Sequence, residues 1–309
     1  MPDLLCFGEP LYELSSVERN GETLFLPGFG GDTSNCAIAA ARQGASAGYL
    51  SAVGGDSFGK ALIELWTREG VDIGAVRTVP DAPTGLYFIT YENGEHRFTF
   101  RRKGSAASLI TAADLDPAVI QSARILHVSG ISQAISDSAC DAVFAAIGMA
   151  RAAGVRVSYD PNLRLSLWPV DRARAVIHAA MAQADIALPG LDDARHLIGI
   201  DDPSAVVDFY LNLGPKIVAL TMGKSGTLVA TPEARELIPA FPVSQVDATG
   251  AGDTFDGAFL ARLLAGDAVI EAARYANVAA ALSTLGWGAV APMPREADVR
   301  AAMQAGRPV

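Results

Sequence analysis

The chain has 309 residues, of which 50% are hydrophobic and 19% charged, and its formal net charge is −10. That composition supplies a large core and fits a single α/β domain, or a core with a small appendage. No apolar run approaches the roughly 18–20 residues of a membrane span, and the acidic balance disfavours nucleic acid and anionic membrane as partners.

The start, Met1-Pro2-Asp3-Leu4-Leu5-Cys6, has no basic region and no long apolar run, so it does not read as a signal peptide. Cys6, Cys36 and Cys140 are an odd, widely spaced set with apolar neighbours. They read as reduced core thiols of a cytoplasmic protein, not as a disulfide framework or a zinc site. His96, His127, His178 and His196 show no ligand spacing.

Short β-rich runs alternate with longer helical patterns. Strands are expected at Leu4–Phe7, Gly48–Val53, Ile125–Val128, Val155–Tyr159, Ile186–Leu188, Ile217–Thr221 and Thr227–Ala230. Helices are expected at Ser34–Gln43, Phe58–Glu69, Asp137–Ala153, Asp171–Ala184, Asp192–Ile198, Ala205–Leu213, Asp253–Leu264, Val269–Leu285 and Arg295–Gln304. This alternation argues for βαβ units, a mostly parallel sheet with helices on both faces, and ligands at the carboxyl ends of the strands.

Two stretches break the pattern: about 11–29, and about 84–103 with Asn93-Gly94 as a hairpin signal between strand-like runs. They read as a small β lid inserted in one domain spanning residues 1–309. Leu24, Leu26, Phe88 and Phe98 are candidates for its exposed face.

The segment Asp247-Ala-Thr-Gly250-Ala251-Gly252-Asp253-Thr-Phe255 carries the strongest chemical signal. Small residues let backbone approach a ligand closely. Phe255, Phe259, Leu260, Leu263 and Leu264 then fall on one helical face, so a glycine turn opens a helix whose first amides form an anion site. Asp253 beside a bound anion suits a base that takes a proton from an attacking hydroxyl; the plain alternative is an N-cap. Gly223-Lys224-Ser225 lacks the earlier glycine of a Walker A loop, and Gly250-x-Gly252-x-x-Phe255 lacks the third glycine of a dinucleotide fingerprint. The protein-kinase signatures are absent.

Three further segments offer substrate-binding groups. Gly28-Phe-Gly30-Gly31-Asp32-Thr33-Ser34-Asn35 presents polar side chains before a helix; the alternative is a turn with Thr33 or Ser34 as N-cap. Phe100-Arg101-Arg102-Lys103-Gly104-Ser105 suggests an anionic partner, or else a guarded edge strand. Asp160-Pro-Asn162-Leu-Arg164 follows an apolar strand at its carboxyl end; the alternative is a loop held by an Arg164–Asp160 pair.

Together and in this order, these segments resemble the PfkB (ribokinase-like) carbohydrate kinases. The resemblance spans nearly the whole chain and includes Cys6-Phe7-Gly8-Glu9, Val53-Gly54-Gly55-Asp56-Ser57-Phe58-Gly59 and Thr221-Met222-Gly223-Lys224-Ser225-Gly226. It implies a three-layer αβα core with a β lid over the sugar, Mg-ATP as donor, Asp253 as base and the Gly250–Asp253 amides as anion hole. It also implies a nucleotide pocket lined by Thr221, Gly223, Gly226 and Asn277, a sugar site with Gly31, Asp32 and Asn35, and a homodimer through the lid. A monovalent cation requirement is left open.

Within that family, Arg102–Ser108, Thr84-Gly85-Leu86-Tyr87 and Asn162-x-Arg164-x-x-Leu167-Trp168 look most like 2-keto-3-deoxygluconate kinases. That likeness implies Arg102 and Arg164 at the carboxylate end of a sugar acid and Tyr87 on a hydroxyl or keto oxygen. It also marks two departures. Phe100 stands where the subfamily often has tyrosine, and Gly190 and Asp193 stand where the family has Asn and Glu around magnesium, so no metal ligand is assigned. A fructokinase is the nearest rival. A nucleoside kinase, a non-catalytic sugar-binding regulator and an NAD-dependent oxidoreductase fit less well.

Overall fold

The computed structural model describes residues 1–92 and 95–306, with side chains described for all of these except 91, 92, 95 and 96. The first part of the chain forms β1 (Leu4–Phe7), β2 (Leu11–Arg19), β3 (Glu22–Gly30), α1 (Asp32–Arg42), β4 (Ala47–Gly54), α2 (Ser57–Glu69), β5 (Asp72–Val79), β6 (Leu86–Glu92) and β7 (Glu95–Arg101). The middle forms α3 (Pro117–Ser122), β8 (Ile125–Ser129), α4 (Gly130–Ala134), α5 (Asp137–Ala152), β9 (Arg156–Asp160), α6 (Val170–Met181), β10 (Ile186–Ala187), α7 (Leu191–Ile198) and α8 (Pro203–Leu213). The last part forms β11 (Ile217–Thr221), β12 (Thr227–Ala230), β13 (Arg235–Ile238), α9 (Ala251–Ala265), α10 (Val269–Ser283) and α11 (Glu296–Ala305).

The main sheet has nine strands in the order β13-β12-β11-β10-β9-β8-β1-β4-β5. All pairings are parallel except those of β12, which is antiparallel to β11 and β13. The unbroken apolar run of β1 is buried along its length, as a central parallel strand requires. Alternate residues feed opposite cores. Leu4 and Cys6 pack with α1, α9 and α10, whereas Leu5 and Phe7 pack with α5, α6 and α8. This is the expected three-layer αβα core with a mostly parallel sheet. From β1 the chain adds strands on one side through β4 and β5, then on the other through β8 to β10. A crevice therefore opens past the end of β1, at Gly8 and Glu9.

The lid is a separate four-stranded sheet, β3-β2-β6-β7. Its register puts Leu24, Leu26, Phe98 and Phe100 on one face with Tyr87, and these four are 40–52% exposed. Phe88 lies on the opposite face, edge-on to Phe25, which corrects its expected place beside Leu24, Leu26 and Phe98. The Asn93-Gly94 turn lies outside the described residues.

Strands β5 and β13 were not expected. Both lie at sheet edges and are largely exposed, so neither carries the apolar run of a buried strand. Helix α1 begins at Asp32, earlier than expected. Thr33 and Ser34 do not cap it: Gly31 holds the N-cap position, Thr33 pairs with the Tyr49 hydroxyl at 3.2 Å, and the Trp66 indole donates to Ser34 at 2.9 Å. The three cysteines are free and buried, with Cys6 and Cys36 sulfurs 4.0 Å apart. No helix among the described residues is long and apolar enough to cross a membrane.

Candidate active site

Helix α9 sets the centre of the site. Gly250 precedes it in the left-handed region, φ 73°, and a Cβ there would come within 3.0 Å of Ala289, so the turn excludes other residues on two grounds. Asp247 braces the turn: its Oδ1 accepts from the Thr249 amide (3.0 Å) and hydroxyl (2.7 Å), and its Oδ2 from the Gly288 amide (2.9 Å). Asp253 is the third residue of the helix, which rules out the N-cap reading. The Ala251 amide is taken by the Ala248 carbonyl at 3.1 Å and the Thr254 amide by Gly250 at 2.9 Å. Among the described residues the amides of Gly252 and Asp253 take no backbone carbonyl, the latter acting on its own carboxylate, and these are the two N–H groups at the positive helix end on which the expected anion site would rest.

Helix α1 packs tightly on α9. A Cβ on Gly257 would meet the Cys36 carbonyl at 2.4 Å, so only glycine allows this approach. The contact delivers Asn35 to Asp253, with Asn35 Nδ2 donating to Asp253 Oδ2 at 2.8 Å. Asn35 Oδ1 is buried with no partner among the described residues, an acceptor suited to a ligand hydroxyl. Asp32, at the head of the same helix, accepts from the Thr33 amide at 2.8 Å and from Asn162 Nδ2 at 3.0 Å. Asn162 has φ 33°, a strained value for a non-glycine residue. Its own amide donates to Asp160 at 3.0 Å, and the Leu163 amide donates to Asp193 Oδ2 at 2.9 Å. Arg164 does not pair with Asp160; its Nη1 donates to the Leu163 carbonyl at 2.8 Å.

Carboxylates therefore converge here. Burial pushes the Asp253 carboxyl up from its ordinary 3.8 to about 7, and Asp32 adds to the rise, while the Asn35 hydrogen bond and the Arg164 charge oppose it. Asp160 and Asp256 are held well above the usual carboxylate range, by burial first and by neighbouring aspartates second. Asp193 is also raised by burial, against its Leu163 hydrogen bond and the Arg164 charge.

The lid brings two further groups. The Tyr87 hydroxyl donates to Glu13, and its ring stacks on Phe100 with centroids 5.7 Å apart. Arg102 Nε donates to Glu9 Oε2 at 2.8 Å, its Nη2 reaches the same oxygen, and the Phe100 ring lies 5.2 Å beneath the guanidinium carbon. Phe100 thus offers its π-face where a tyrosine would add a hydroxyl.

On the other side of the α9 start lies a cleft of about 540 Å³. Thr221, Gly223, Gly226 and Asn277 all line it, with Lys224, Phe241 and Gly252. Asn277 is committed within the protein: Nδ2 donates to the Pro239 carbonyl at 2.6 Å and Oδ1 accepts from Thr227 at 3.3 Å. Sequence reasoning gave no role to Glu9, Glu13 or Asn162. Glu13 could have been found, because it shares the inward face of β2 with Leu11 and is equally buried.

The chain matches the pfkB family of carbohydrate kinases over residues 1–296. It is 34% identical to a 2-dehydro-3-deoxygluconokinase of Thermoproteus tenax, covering 96% of this chain and 94% of the relative. It is 35% identical to Fructokinase-1 of Zea mays, covering 96% of each. The solved structure of a putative ribokinase II from E. coli with ATP and Mg2+ superposes with a TM-score of 0.89 at 28% identity, over 99% of this chain and 100% of that one. A carbohydrate kinase needs a donor cleft, an acceptor cleft and a base between them, and this chain, by its own geometry and by these likenesses, belongs to the PfkB family of carbohydrate kinases.

Proposed function

We propose that the enzyme uses Mg-ATP to phosphorylate the terminal hydroxyl of a sugar acid, converting 2-keto-3-deoxygluconate to 2-keto-3-deoxy-6-phosphogluconate. The observation that carries the acidic acceptor is Arg164. Its guanidinium is exposed, has no carboxylate partner among the described residues, and acts electrostatically on both Asp253 and Asp193. A free arginine beside the base suits a carboxylate through its fork. Similarity to the T. tenax enzyme supports the same reading.

Asp253, ionised, accepts the proton of the acceptor hydroxyl as that oxygen forms its bond to the γ-phosphorus. The bond from the γ-phosphorus to the bridging oxygen breaks, and ADP leaves with that oxygen. Catalysis is mostly positioning and charge stabilisation, because a loose transition state needs little covalent help. The Gly252 and Asp253 amides stabilise the transferred group, Asn35 orients both Asp253 and the acceptor, and the lid excludes water. Mg2+, when bound with the nucleotide, neutralises charge on the phosphate oxygens. Asp160 and Asp193 would hold that ion: among the described residues each has one carboxylate oxygen with no protein donor, and each carboxyl is raised by burial first, Asp160 also by neighbouring aspartates, a repulsion that a bound cation would relieve.

Fructose is the second reading. The Arg102 charge is already matched by buried Glu9, which weakens it as a sign of an acidic acceptor, and the maize fructokinase is as similar as the archaeal enzyme. Arg164→Leu separates the two. A loss of about tenfold or more in kcat/KM confined to acidic acceptors supports the first reading, and an equal loss on fructose supports the second. The exposed lid face around Leu24, Leu26, Phe98 and Phe100 is proposed as a homodimer contact.

A further inference from the structure

Glu9 lies just past β1, at the crevice where the strand order reverses, and its side chain is fully buried. Burying a carboxylate costs several kcal/mol unless it is paired and hydrogen-bonded. Its Oε2 accepts from Nε and Nη2 of Arg102, and Oε1 accepts from the Ser105 hydroxyl at 3.4 Å. Arg102 follows β7 of the lid, so the pair ties the lid to the floor of the crevice.

The mode of pairing matters. A guanidinium has two forked edges, one made by Nε with one nitrogen and one made by the two terminal nitrogens. Glu9 occupies the first edge, and Phe100 covers one face. Nη1 has no protein acceptor among the described residues, and the side chain keeps 12% exposure. The end-on edge is thus left open and fixed in direction. The crevice it borders contains Asp32, whose charge acts on Glu9, and Tyr87, stacked on the same Phe100 ring.

We infer that Glu9 is a positioning residue for acceptor binding: it holds Arg102 side-on so that the opposite edge of the guanidinium receives two acidic or hydroxyl oxygens of the sugar. This rests on the acceptor site proposed above. It differs from a bare charge argument in sign. If Glu9 acted only through its charge, removing it would relieve repulsion of an acidic acceptor and strengthen binding. If it acts by positioning, removing it weakens binding even though the pocket becomes more positive.

The test is steady-state kinetics of Glu9→Gln, Arg102→Leu and the double variant, with ketodeoxygluconate and fructose as acceptors. Glu9→Gln is expected to raise the acceptor KM by about tenfold or more, with kcat and the ATP KM changed less than about twofold. In the Arg102→Leu background, Glu9→Gln should add less than about twofold, because both changes remove one unit. Guanidinium ion added to Arg102→Ala should restore acceptor binding only while Glu9 is present, which a merely structural glutamate would not require. A lower acceptor KM in Glu9→Gln, or effects that multiply in the double variant, would overturn the inference. If Glu9→Gln fails to fold, the guanidinium rescue of Arg102→Ala and its loss with Ser105→Ala serve as the test; rescue that is indifferent to Ser105 counts against it. An Arg102→Leu enzyme with unchanged acceptor KM would instead sink the proposed role of Arg102 itself.

Discussion

Asn35 and Asp253, 218 positions apart in the chain, share a hydrogen bond of 2.8 Å, and this leaves Asn35 Oδ1 buried and unpartnered. An amide that donates to Asp253 and offers its oxygen to the cleft can hold an acceptor hydroxyl against that carboxylate, the proposed base. Asn35→Ala should therefore raise the acceptor KM and lower kcat, with kcat/KM falling by about two orders of magnitude, while the ATP KM stays within about twofold. Kinetics in which only the ATP KM responds would remove Asn35 from the acceptor site.

The raised pKa of Asp253 sets the pH dependence. As the proposed base, Asp253 must be ionised, so kcat/KM for the acceptor should fall on the acid side with a midpoint near the value of about 7. The stability consequence has the opposite direction. The folded carboxyl binds its proton more tightly than the unfolded one, whose value is near 3.8, so its favourable contribution is present at low pH and is lost as pH rises from about 4 through 7. Asp253→Asn should consequently match the parent in melting temperature near pH 4 and exceed it by at least about 2 °C at pH 8. A melting difference that does not widen with pH would contradict the assigned environment.

Gly257 controls the α1–α9 approach. Gly257→Ala forces a Cβ to 2.4 Å from the Cys36 carbonyl, and backbone cannot give way cheaply. The expected cost is about 1–3 kcal/mol in stability. The helix shift should also lower kcat, because Asn35 and Asp253 sit at that junction. Thermal melting and turnover check both, and an unaltered melting temperature would argue against the close packing.

The lid face should bury a partner. Phe98→Glu or Leu26→Glu is expected to convert a dimer to a monomer, read by sedimentation at micromolar protein. A parent protein that sediments only as monomer would refute the dimer proposal.

How much of this was legible beforehand depended on range. The Gly250–Asp253 turn announced itself because its glycines, its aspartate and its apolar helix face lie within a few turns of one helix. The central strands of the αβα core were equally plain, since β1 is apolar throughout and β11 is apolar up to Thr221. What escaped was non-local or edge-like. The Glu9–Arg102 pair spans 93 positions and exists only because the lid returns beside β1. Glu13 was overlooked as one polar residue among many in β2, and only the strand's alternation shows that it points inward with Leu11. Strands β5 and β13 have too little buried surface to write an apolar run into the chain. Arg102 was legible as important, but its partner was not, and so its charge was assigned wholly to the substrate.

The proposed reaction is phosphoryl transfer to a sugar acid with Asp253 as base. ADP release measured for the parent and for Asp253→Asn, over ketodeoxygluconate, its galacto epimer, fructose, ribose and a nucleoside, tests it most directly. The expected result is highest kcat/KM on a ketodeoxy sugar acid and a fall in kcat of about two to four orders of magnitude in Asp253→Asn, with little change in KM. Near-normal turnover in Asp253→Asn, or binding of every acceptor without ADP release by the parent, would contradict it.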